Sequence, residues 1–407
     1  MVAPINNSTN SRIILTGISS GQAPGGSQQS TAPAPYHFQL YPYNTIEAEE
    51  DIYQAHRLFQ NLVIKPVTDN IGLPGSALGR IGTDLLINFP LGIGYQGVTH
   101  EFGHASRYAE AGCSPSVTLW PLSDCHTDGN CGKDLSLKEQ TLAQAGGFEA
   151  TQFISNKIAQ NMFVYGTDEG DYIFYVSQKI DTAYYIIFGH DPASYSSPYD
   201  KHFPEDNDVA NYWRNMMMMR KQQLVKQYGL EKVASKDLWD GPGFSYDAVR
   251  AGAYLDALDP TLLFLTYQQG KYYLTGEKPS PIPNFLPRTA FIPSINGPEY
   301  YVWAPFRDNG IVFDPYFRIA VNKDGNSYGG GLDVLNIPFG ARTILNAGVD
   351  LWQQKDRFGF MAESSARIKI TDKIGVDLGA FYKTYGYVMA KGLDNGLGFN
   401  VGVSITP

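Results

Sequence analysis

Two histidines stand four residues apart, with a glutamate directly after the first: His100-Glu101-Phe102-Gly103-His104. On a helix this spacing puts both imidazoles on one face, one turn apart, where they can share a divalent metal such as Zn2+. Glu101 then lies beside that metal, placed to polarise a water and take its proton. The bland alternative is a pair of helix-surface histidines with an ion-paired glutamate. The chemistry needs a helix, and the surroundings provide one. Residues 95–111 read as helical, with apolar residues before the motif and small ones after it. Gly112 stands where a left-handed residue closes such a helix.

Other elements must bring further groups to that face. Residues 45–63 repeat Ile46, Ile52, Tyr53, Leu58 and Leu62 at helical spacing. Helical patterns also cover 135–162, interrupted by Gly146 and Gly147, then 171–188, 208–228 and 246–258. The run Met216–Met219 reads as core packing. A strand is expected at 116–120, followed by a polar loop between Cys125 and Cys131. A disulfide joining these two cysteines would staple the loop in an oxidising compartment. A zinc knuckle would need closer spacing and a second pair. Residues 1–35 are rich in Ser, Asn, Gln, Gly and Pro, so 1–44 is expected to be an extended or disordered arm. The start, Met1-Val2-Ala3-Pro4, lacks the basic and apolar runs of a signal peptide, as a processed mature chain would.

Pro279, Pro281, Pro283, Pro287, Pro293 and Pro298 mark most of 275–300 as a linker. Beyond it the period changes from 3.6 to 2. Ile374, Val376, Leu378, Ala380 and Tyr382 oppose Asp377, Gly379 and Lys383; Leu397, Phe399, Val401, Val403 and Ile405 oppose Gly398, Asn400, Gly402 and Ser404. The same alternation covers 311–321, 327–337, 345–351 and 358–370, with two more strands at 289–294 and 299–304. Short turns at 323–326, 355–357 and 371–373 make this an antiparallel meander. A membrane barrel would turn the apolar face to lipid, and a soluble sheet would turn it to a core. Gly mixed with charges on the other face favours the barrel, whereas short turns at both ends oppose it. The expected fold class is α+β: a mainly helical domain over 45–285, then an antiparallel β-meander or small β-barrel over 286–407.

Composition sets the outer limits. Only 17% of the 407 residues are charged, while 27 are Tyr and 42 are Gly. A disordered chain would be charged and poor in aromatics, and a multi-pass helical membrane protein would show long uncharged apolar runs. The net charge of −9 argues against a nucleic-acid binder. Residues 298–407 hold 11 Lys/Arg and 11 Asp/Glu, so the whole acidic excess lies before them. No phosphate-binding glycine loop is present, since Gly329-Gly330-Gly331 sits in a strand pattern.

Around the H-E-x-x-H motif, over about 90–160, the chain resembles the zinc metallopeptidases. In gluzincins with a short core, the motif helix is followed by a hairpin and then by a helix whose glutamate is the third ligand. That resemblance implies Glu149, with Glu139 as its nearest rival. The motif helix, Gly112 and the following strand also resemble the site-2 type, which implies an aspartate and, here, Asp259. The implied centre is Zn2+ held by His100, His104 and Glu149, with Glu101 deprotonating the attacking water and later protonating the leaving amine. A second donor to the oxyanion is sought among His190, Tyr254, Arg250 and Tyr108. His126 is expected as an exposed loop residue. The resulting expectation is a zinc metalloendopeptidase of the cell envelope (periplasm or outer membrane), or a secreted one, acting on a protein or peptide. Its β part would anchor it at an outer membrane, on an envelope partner or in an oligomer. The competing expectation is a structural or pore-forming envelope protein with a structural or vestigial metal site.

Overall fold

The computed structural model describes residues 35–41, 46, 49–119, 125–167, 169–188, 207–228, 246–322, 325–355 and 357–406. The fold is α+β, with a set of helices packed against one large antiparallel sheet. The helices are α1 (Glu50–Phe59), α2 (Lys65–Asn70), α3 (Ala77–Thr83), α4 (Phe89–Glu110), α5 (Leu137–Tyr165), α6 (Glu169–Lys179), α7 (Asp181–Phe188), α8 (Asp208–Tyr228), α9 (Tyr246–Ala257) and α10 (Pro260–Thr275). The large sheet is built from β1 (Tyr36–Tyr41), β4 (Arg288–Ser294), β5 (Gly297–Trp303), β6 (Phe306–Asp308), β7 (Ile311–Ala320), β8 (Ser327–Phe339), β9 (Thr343–Gln354), β10 (Arg357–Lys369), β11 (Ile374–Lys383) and β12 (Gly396–Ile405). Its order is β1-β12-β11-β10-β9-β8-β7-β5-β4, with β6 paired to β7, and it does not close on itself.

The expected strands are present in the expected meander, and β8 carries a bulge between Val334 and Ile337. Within the proline-rich stretch, the two strands expected at 289–294 and 299–304 are present as β4 and β5. Pro293 and Pro298 pair at the closed end of that hairpin, next to its turn, where a lost ladder donor costs least. Part of the N-terminal arm is ordered as β1, which pairs with the last strand in the register Tyr36↔Ile405. Helix α10 went unread; Asp259 caps its start by accepting from the Leu262 amide at 2.7 Å, and Gly276 ends it at φ +75°.

Helix α5 is the centre of the molecule. Ser136 and Glu139 form a capping box at its start, and it runs unbroken through Gly146 and Gly147. It is buried on nearly every side because the sheet curves round it. Arg288 of β4 donates to Asn156 at 2.9 Å, Gln160 donates to Asp333 of β8 at 3.0 Å, and Arg367 of β10 donates to Tyr165 at 2.5 Å. One apolar core joins helices and sheet, including Tyr53, Ile154, Ile158, Phe174, Leu265 and Val312. No described helix is long and apolar enough to cross a membrane.

Strands β2 (Ser116–Thr118) and β3 (His126–Asp128) form a separate hairpin. The disulfide there joins Cys113 to Cys131, with Cα atoms 4.4 Å apart, rather than Cys125 to Cys131. Hairpin register explains the choice. Ser116 faces Asp128, so three residues further out Cys113 faces Cys131, while Cys125 lies near the closed end.

Candidate metal centre

Helices α4 and α5 cross so closely that only glycines fit between them. A Cβ at Gly103 would stand 2.2 Å from the Gly146 carbonyl oxygen, and one at Gly146 would stand 2.4 Å from that of Gly103. This crossing seats the histidine face of α4 against α5. The His100 ring lies over Gly147, where a Cβ would come within 2.6 Å of it. Phe148 meets the same ring edge-on at 5.0 Å, and Tyr185 of α7 stacks on it at 5.3 Å.

Both imidazoles are buried and oriented through Nδ1. His100 Nδ1 lies 2.8 Å from Asp181 Oδ2, and His104 Nδ1 lies 2.6 Å from the Ala143 carbonyl oxygen. A proton on each Nδ1 leaves each Nε2 as a free lone pair, the tautomer a metal ligand needs. Asp181 is itself held, accepting from Gln96 at 2.6 Å and from Thr151 at 3.0 Å.

The two Nε2 atoms are 3.0 Å apart, and Asp208 Oδ2 lies 3.2 Å from each. Ligands on a tetrahedral Zn2+ with bonds near 2.0–2.1 Å stand about 3.3 Å from one another. The three atoms therefore fit a small tetrahedral cation. Ligand atoms of His100, Glu101 and His104 also lie within 4.8 Å of one another, which puts the Glu101 carboxylate near the two imidazoles. The Tyr185 hydroxyl completes the group, 3.3 Å from His100 Nε2.

Without a metal, the surrounding carboxylates favour protonated imidazoles, whose positive charge a bound cation would replace. Burial opposes charge on His100, but Asp181 and Asp208 outweigh it and hold its pKa well above the usual imidazole value. His104 is likewise raised against its burial, by Asp208. Burial would lift the Asp208 carboxyl, yet His104 and His100 hold it below the ordinary carboxylate range. Burial, with Asp208 beside it, pushes both the Tyr185 and Tyr108 hydroxyls up, so both stay neutral donors.

Among the described residues, the carboxylate beside both imidazoles is thus that of Asp208, and neither Glu149 nor Asp259 is in its place. Glu149 is buried one helix turn away with both oxygens committed. It accepts from Arg107 at 2.9 Å and 2.5 Å and from the Ala390 amide at 2.7 Å. Asp259 caps α10 and also accepts from Tyr175 at 3.1 Å and from the Thr289 amide at 2.6 Å. Glu139 is spent on the α5 cap. Of the expected donors, His190 lies outside the described residues. Tyr254 points outward from α9 at 59% exposure, and Arg250 pairs with Asp247 at 3.2 Å. Tyr108 stands near enough to Asp208 and Glu101 to feel both charges. It also lines an open cleft with Gln144, Asn211 and Arg214, which lies beside the centre and is walled by none of His100, Glu101, His104 and Asp208. His126 is exposed on β3, 3.8 Å from Asp128.

Asp208, Asp181 and Tyr185 were not found from sequence. Asp208 ends the run Pro204-Glu205-Asp206-Asn207-Asp208, where only the folded register tells one carboxylate from the others. Asn207 sets that register, accepting from the Ala210 amide at 2.9 Å and donating to the Tyr185 carbonyl at 3.3 Å. No protein-family model, curated protein or solved structure matches the chain.

Proposed function

We propose that this chain is a zinc-dependent hydrolase of peptide bonds, with His100, His104 and Asp208 as the metal ligands and Glu101 as general base and acid. One observation carries the reading: three ligand atoms of the right types converge at 3.0–3.2 Å beside the glutamate of an H-E-x-x-H helix. A metal held by that set supplies Lewis-acid polarisation of a water and of the scissile carbonyl. Glu101 takes the proton of the attacking water and returns it to the leaving amine. Tyr185 and Tyr108, both neutral, are the donors available to the developing oxyanion. Asp181 and the Ala143 carbonyl keep the imidazoles aimed throughout.

The test separates binding from chemistry. Glu101→Gln should retain about one zinc per chain while turnover of a broad peptide library falls by at least ~10²-fold. A wild-type chain that binds zinc and cleaves no peptide would leave the metal with a structural role and contradict the proposal.

A further inference from the structure

The sheet is inverted with respect to a water-soluble one. Its concave face meets α5 and carries Asp314 and Arg318, and also Asp333, Glu363, Arg367 and Asp377, which line a polar cavity of about 220 Å³. Its convex face is the reverse. No outward position of β7–β12 carries Asp, Glu, Lys or Arg, and Phe317, Leu351, Phe360, Leu378, Phe399 and Ile405 are all exposed there. Buried charge inside and bare hydrocarbon outside is the pattern of a barrel wall in lipid. These strands run 10 to 13 residues. A bilayer takes about 9–11 residues of tilted strand.

Helices lie against both edge strands of the sheet. Helix α1 packs on β1, α10 packs on β4, and α10 also packs on α3. Leu78 of α3, Leu263 and Tyr267 of α10, and Leu62 and Leu86 in the helical stretches 60–64 and 84–88 that continue α1 and α3, are each more than half exposed. The convex face of β7–β12 by itself presents six strands of exposed apolar residues with no charge among them, a pattern that marks an interaction surface. A second copy would cover one side of it, whereas a bilayer covers every side at once.

We propose that β7–β12 with α1, α3 and α10 form one lipid-facing belt, and that the chain lies across a bilayer with the polar cavity inside its wall. This does not rest on the hydrolase reading. The test uses the full chain, extracted in detergent and reconstituted into phosphatidylcholine vesicles. Tryptophan is placed at Leu351, Phe399 or Leu86, and at Ser114 on the polar hairpin as control. The fluorescence each variant adds to that of the parent is then read with acyl-brominated phosphatidylcholine. At least twofold quenching at Leu351→Trp, Phe399→Trp and Leu86→Trp, with none at Ser114→Trp, is the expected result. Absence of quenching at the sheet positions overturns the proposal, and quenching there without quenching at Leu86→Trp overturns the helical part of the belt. Should the variants misfold, the unaltered chain decides by flotation. It should rise with vesicles after an alkaline carbonate wash; a chain that leaves the cell without detergent, as monomer or dimer, and stays at the bottom of the gradient overturns the belt.

Discussion

His100 is fixed from three directions: Asp181 through Nδ1, Tyr185 by stacking, and Gly147 by leaving room beneath the ring. This makes Asp181 a positioning residue rather than a ligand. Asp181→Asn should weaken zinc binding by roughly 10–100-fold while circular dichroism of the metal-free chain stays unchanged; unchanged affinity in a competitive chelator titration would remove Asp181 from the account. The H-E-x-x-H motif was legible in the sequence because its geometry is local, five residues on one helix. The third carboxylate was not, because it comes from a helix some hundred residues later and depends on how α7 and α8 dock. Glu149 was the sequence's best carboxylate, and the fold uses it to neutralise Arg107. Both are fully buried, so removing either one would strand a charge.

At the scale of elements, the glycines carry the most information. Gly146 and Gly147 read as an interruption in the sequence, since glycine weakens a helix. Between two helices they instead permit contact, and Gly103 is their counterpart across the crossing. Gly103→Ala should therefore lower stability by about 1–3 kcal/mol despite the better helix propensity of alanine, and zinc retention should fall with it. Urea unfolding checks this, and a stabilised variant would show that the crossing has slack. Strands were legible because alternation of period 2 is a strong local signal, and that signal survived even in β4 and β5 among prolines. The disulfide was misread because spacing alone favours the short loop, whereas strand register selects Cys113. Helix α10 was hidden by its neighbours, the capped start at Asp259 and the proline-rich stretch after it.

For the whole molecule, the sequence reading left two environments open for the apolar strand faces, and the structure adds the fact that decides how to test them. The sheet wraps a buried helix with its polar face inward. Charges such as Arg288 and Asp314, or Arg318 and Glu299, find partners inside the wall. The candidate metal centre sits among the same helices, walled by α4, α5, α7 and α8. Everything proposed about chemistry depends on which carboxylate joins the two imidazoles. The most direct measurement is anomalous scattering at the zinc edge from crystals of the zinc-loaded chain. A single strong peak about 2.0–2.2 Å from His100 Nε2, His104 Nε2 and an Asp208 oxygen is the predicted result. A peak bonded to Glu149, or no peak at the imidazoles, would contradict it.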